Sequence, residues 1–113
     1  MEMVVLVGIG AYINNVYNGI ENILKQLLLS KNIKLDRSPS WHKDLLEISC
    51  RQGIIDGYTI NKIGKYMFFR HFFTHSYGFL IDEKKLMPLI ESIERDYFDF
   101  KTQVDKFITE QNL

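Results

Sequence analysis

Residues 70 to 77 read RHFFTHSY, an arginine, two histidines, a threonine and a tyrosine set among phenylalanines. Arg70 offers a planar fork of donors that suits phosphate. His75 can move a proton near neutral pH, and His71 and Thr74 flank the pair. Arginine with histidine in a cleft is the minimal set for cutting RNA without a metal. A base takes the proton of a ribose 2′-hydroxyl, which then attacks the adjacent phosphate, and a cation stabilises the charge that develops on the phosphate oxygens. The same residue types also have ordinary roles, an ion-paired surface arginine and a hydrogen-bonded histidine, and residue type alone favours those. His71 and His75 stand at i and i+4 as metal ligands do, but Phe72 follows His71 where an HExxH zinc site has Glu. His42 is the only other histidine, so the expectation is no metal and no cofactor.

Placed on a helix at about 100° per residue, the segment is two-faced. Phe68, Phe72, Phe69 and Phe73 fall on one side, and Tyr77, Arg70, Thr74, His71 and His75 follow across the rest. The preceding turns read the other way. Ile60, Ile63, Tyr66 and Met67 lie on the arc that Arg70 and His71 later take, and Asn61, Lys62 and Lys65 lie on that of the phenylalanines. Such a switch does not belong to a simple surface helix. Either the helix bends near Phe68, or its second half is covered on both sides. Without a proline to kink it, covering is favoured, which puts the polar group in a cleft between helices or subunits. The phenylalanines then read as core or dimer interface rather than as a base-stacking platform.

The elements that must position this segment are helical almost throughout. Val5, Ile9, Tyr12, Ile13, Val16, Ile20, Ile23, Leu24, Leu27 and Leu28 follow three-and-four spacing. Gly8, Gly10 and Gly19 each weaken that helix by roughly 1 kcal/mol against alanine, so they read as places of close approach. It begins apolar and without a cap signal, as if part-way through a longer helix or under a partner. Ser38 is expected to cap a second helix with Pro39 at its first position. That helix runs from Trp41 to Gly53, with Trp41, Leu45, Leu46 and Ile48 inward. Asp56 and Gly57 signal a turn, Thr59 caps the third helix, and Gly78 ends it. Asp82 and Pro88 bracket the start of the fourth. There Leu86, Leu89 or Ile90, Ile93, Tyr97, Phe100, Val104 and Phe107 form a narrow seam. The expectation is an all-α, up-and-down four-helix bundle in a single domain spanning residues 1 to 113.

Composition sets the limits. A chain of 113 residues with zero formal net charge has no global basic field, which leaves a local basic site open. The single cysteine, Cys50, allows no intramolecular disulfide and reads as a small buried hydrophobe in a reducing compartment. The apolar run MEMVVLVGIGAY is too short to span a bilayer and lacks signal-peptide features, so a cytoplasmic protein without a membrane is expected.

Arg70, four residues, His75, one residue, Tyr77 resembles the Arg-x(4–6)-His motif of HEPN-domain ribonucleases, and more closely the HepT-type toxins, whose motif extends to a tyrosine two past the histidine. YNGIENILKQLL, PSWHKDLL and RHFFTHSYGFLID resemble the HepT pattern in the same order, so the resemblance covers nearly the whole chain. It implies a symmetric homodimer in which two motifs meet in a cleft. It implies a metal-independent RNA endonuclease acting on tRNA or mRNA, the toxin of a type VII-like toxin–antitoxin pair. By position, Arg70 and His75 would be catalytic, with His71 and Thr74 supporting. Tyr77 would be the tyrosine that an MNT-type nucleotidyltransferase antitoxin adenylylates, in a complex that could be a hetero-oligomer. Family members usually carry more helix before VLVGIGAYINN, so the resemblance also implies a short form or a truncated start. The alternative is a non-catalytic HEPN-like module that binds RNA, a nucleotide or a nucleotidyltransferase.

Overall fold

The computed structural model describes residues 1–75 and 81–111. They form four helices, α1 (Met3–Ser30), α2 (Trp41–Arg51), α3 (Gly57–His75) and α4 (Glu83–Gln111), and no strand among the described residues. This architecture fits the expected helical bundle. α1 touches all three other helices, and α3 also packs on α2 and α4. α1 is long and apolar enough, by length and composition, to cross a membrane, a test that the core helix of a soluble protein also passes.

The buried side of α1 runs through Leu6, Gly10, Ile13, Tyr17, Ile20, Glu21, Leu24, Leu27 and Leu28. The expected stripe lay one residue earlier at its start, and Val5 and Tyr12 are exposed. Glu21 occupies an interior position on this stripe, four residues after Tyr17 and three before Leu24, and is only 3% exposed. On α2, Leu45, Leu46 and Ser49 are buried while Trp41 and Ile48 are half-buried. Cys50 is half-buried rather than buried. Ser49 takes the inner position, and the next residue turns about 100° outward.

Several helix ends depart from expectation. Ser40, not Ser38, is the residue that precedes α2. Ser38 instead accepts the Trp41 N–H at its carbonyl and donates its hydroxyl to Asp44, which leaves Pro39 in the turn before the helix. Asp56, not Thr59, caps α3, its Oδ1 accepting from the Thr59 N–H at 2.8 Å. That backbone donor holds the Asp56 carboxyl below its usual range. Thr59 is buried and takes a hydrogen bond from Gln103 of α4 at its hydroxyl. Asp82 caps α4 through the Lys84 N–H. Pro88 lies inside that helix, beyond its first turn. Gly78 lies outside the described residues. α1 and α2 both close with paired carbonyl bonds, Ile33 to Leu28 with Asn32 to Leu29, and Ile54 to Ser49 with Gly53 to Cys50. Each needs a left-handed residue after the helix, supplied by Asn32 at φ 60° and Gly53 at φ 76°.

The switch of faces on α3 has its cause in its neighbours. One arc faces α4 throughout. Near Lys62 and Lys65 it meets Asp96 and Asp99, and near Phe68 and Phe69 it meets Leu86 and Leu89 around a shared cavity. The other arc buries Ile63 and delivers Arg70 to α1 and α2, while Tyr66, buried between the two arcs, reaches Ser92 and Asp96 of α4 with its hydroxyl. The phenylalanines do not act as one group. Phe69 and Phe73 stack at 5.6 Å against α1, whereas Phe68 and Phe72 are 71% and 39% exposed, which leaves an apolar edge on the surface. Gly10 makes the α1 approach possible, since a Cβ there would meet the Phe73 ring at 2.7 Å. Gly8 and Gly19 face open space instead.

Candidate active site on the third helix

Arg70 is half-buried where α3 crosses α1 and α2. Its Nε donates to Asn18 Oδ1 at 2.9 Å, and Nη1 lies 3.4 Å from His42 Nε2. On the far side of that ring, His42 Nδ1 is 2.6 Å from Glu21 Oε2. A guanidinium can only donate, so His42 Nε2 accepts and its proton sits on Nδ1, facing the Glu21 carboxylate. The result is a half-buried relay of carboxylate, imidazole and guanidinium that fixes where Arg70 points. Tyr17 lies beside it, buried and with no hydrogen-bond partner among the described residues. Burial, and then the Glu21 charge, push its phenol well above the ordinary value, so it stays protonated there.

His71, Thr74 and His75 are exposed and form a second group. The rings of His71 and His75 stack at 4.3 Å. Thr74 donates its hydroxyl to the Arg70 carbonyl at 2.9 Å. His75 Nδ1 lies 2.9 Å from the His71 carbonyl and 3.1 Å from Thr74 Oγ1. A carbonyl only accepts, so the proton is on Nδ1 and Nε2 is left as the acceptor. The helix backbone thereby sets His75 in the form that a general base needs.

The structure therefore brings His71, Thr74 and His75 together and places Arg70 apart from them. Residues five apart on a helix lie about 140° apart. In one chain Arg70 turns into the α1–α2 groove while His75 turns outward. Tyr77 lies outside the described residues. Among those residues, no three His, Cys, Asp or Glu side chains gather as a metal site. Asn18, Glu21 and His42 were not singled out from sequence. A signal existed for Glu21, a carboxylate at a buried-stripe spacing in α1. Nothing in the sequence pairs it with His42, because 21 residues separate them.

The family model described as HepT-like protein matches residues 8–111. The chain matches no curated protein and no solved structure. With the match running from early in α1 to the end of α4, this chain belongs to the HepT-like family, within the HEPN-type toxin group.

Proposed function

We propose that the chain is the ribonuclease toxin of a toxin–antitoxin pair, a metal-independent RNA endonuclease that works as a symmetric dimer in the cytoplasm. His75 Nε2 takes the proton of a ribose 2′-hydroxyl. The 2′ oxygen attacks the adjacent phosphorus, the 5′ oxygen leaves and is protonated, and the products are a 2′,3′-cyclic phosphate and a 5′-hydroxyl. Arg70 stabilises the charge on the phosphate oxygens through donors not already engaged by Asn18 and His42. The observation that carries this reading is one helix bearing both a guanidinium held by its neighbours and an exposed imidazole with its tautomer set by the backbone. Because the two leave α3 on different sides, a second copy laid across α3 would supply the other wall of the cleft. The exposed Phe68 and Phe72 give that edge apolar surface to bury.

In this reading, adenylylation of Tyr77 by an MNT-type nucleotidyltransferase antitoxin switches the toxin off, because AMP adds negative charge and bulk beside the motif. Expression of the chain alone should arrest growth, and His75→Ala should relieve the arrest while the protein stays folded. Co-expression with the neighbouring nucleotidyltransferase should add mass in units of AMP that Tyr77→Phe removes. Harmless expression of the unmodified chain would instead favour a binding module without nuclease activity.

A further inference from the structure

A cavity of about 790 Å³ lies between the end of α1, the 31–40 connection and the start of α2. The cleavage chemistry above makes no use of it. Its walls include Leu28, Ile33 and Leu35, with Trp41 at the edge that adjoins α2. Lys25, Lys34 and Arg37 also line it, against the single carboxylate of Asp36. In a chain with zero formal net charge, that is a local concentration of positive charge. Among the described residues, none of the three cations is in an ion pair.

Trp41 connects this cavity to the motif. Lys25 Nζ sits 4.2 Å from the Trp41 ring centroid. The same ring is 3.6 Å, centroid to centroid, from His42, and His42 is the residue that meets Arg70. The aromatic wall of the cavity thus leads directly to the guanidinium proposed to bind the scissile phosphate.

We propose that this cavity is a nucleotide subsite for the RNA strand. A base next to the cut seats against Trp41, and its phosphates pair with Lys25, Lys34 and Arg37. The volume lies within the range of about 300–1,000 Å³ typical of small-ligand pockets. Lys25 leaves the ring for phosphate as the base arrives. Stacking on an aromatic ring needs an unpaired base, so the subsite selects single-stranded RNA and tolerates any base. The subsite rests on the ribonuclease reading for its substrate.

Trp41 is the only tryptophan in the chain, so its fluorescence reports the subsite directly. The experiment titrates the His75→Ala protein, unable to cut, with single-stranded oligoadenylate RNA. The expected result is a saturating change in tryptophan fluorescence that duplex RNA of equal length does not produce. With labelled RNA, Trp41→Leu should bind at least about fivefold more weakly. Lys34→Ala with Arg37→Ala, both on the exposed connection, should also weaken binding and flatten its salt dependence. Tight binding with silent Trp41 fluorescence and unchanged affinity in both variants would overturn the subsite. If wild-type protein still cuts RNA in that case, the ribonuclease reading survives. If wild-type protein binds with the Trp41 response but cuts nothing, the subsite stands and the ribonuclease reading fails.

Discussion

Asp96 on α4 ties α3 to the bundle, and its removal should be the most damaging single polar change in the chain. The side chain is 1% exposed. It accepts from the Tyr66 hydroxyl at 2.6 Å and pairs with Lys65 at 2.9 Å, with Lys62 at 3.9 Å and Arg95 at 3.4 Å. Asp96→Ala takes the charged acceptor from the buried Tyr66 hydroxyl, which keeps only Ser92 at 2.8 Å, and unpairs Lys65 at the same time, which costs about 3 kcal/mol. A domain of this size has roughly 5–15 kcal/mol in total, so the variant should melt about ten to twenty degrees lower. Asp96→Asn keeps the shape and one acceptor and should lose about 1.5–3 kcal/mol. Lys65→Met should lose much less, because Lys65 is 38% exposed and its pair is screened by water. The pH dependence has a definite sign. Burial opposes ionisation of Asp96, but the Tyr66 hydroxyl, then Lys65 and Arg95, outweigh it and hold its carboxyl below the usual range. A depressed carboxylate stabilises fully above its unfolded value near 3.9 and loses that contribution as pH falls through its folded value. Wild-type protein should therefore lose stability more steeply than Asp96→Asn below about pH 4. Urea unfolding at several pH values measures all of this. An Asp96→Ala protein within about 1 kcal/mol of wild type would refute the reasoning.

The other expectations concern the packing of α1 and the relay behind Arg70. Gly8→Ala and Gly19→Ala, both facing open space, should each stabilise by up to about 1 kcal/mol, whereas Gly10→Ala should lose that gain against the Phe73 ring. Thermal melts compare the three, and a loss at Gly19 would mean that a second chain covers that face. Asn18→Ala and His42→Ala each remove an acceptor from Arg70, so each should lower kcat/KM for RNA about tenfold or more. His42→Gln, which keeps an acceptor, should recover part of that loss, and no recovery would count against a positioning role. Glu21→Leu leaves the His42 Nδ1–H unpaired in a half-buried site and should cost about 1–3 kcal/mol in chemical denaturation.

The four helices were legible because apolar spacing is a property of the chain alone. The seam of α4 appears as expected at Leu86, Ile93, Phe100, Val104 and Phe107. Asp96, three residues after Ile93 and four before Phe100, sits on that seam too. A carboxylate there signals a buried partner, but only the fold shows that the partner is Tyr66. The apparent contradiction within α3 was also real in the sequence. Its cause was not readable, because it depends on which height of α4 or α1 each turn meets. In the RHFFTHSY segment, residue types pointed to Arg70 and His75 and the wheel already set them about 140° apart, but only the fold shows that Arg70 meets Asn18 and His42 while His75 faces outward. The relay through His42 to Glu21 joins two helices across a connection of irregular structure, and no local pattern encodes such a contact. Local competition also decided the caps. Asp56 reaches the Thr59 N–H, which frees Thr59 to be buried against Gln103.

The most direct test of the central claim is RNA cleavage by the purified chain in EDTA, using protein whose intact mass carries no AMP. The account predicts cut strands ending in a 2′,3′-cyclic phosphate, with cutting abolished in Arg70→Ala and in His75→Ala proteins that keep wild-type helical circular dichroism. A folded, unmodified chain that leaves cellular RNA intact would contradict it, as would either variant cutting at the wild-type rate.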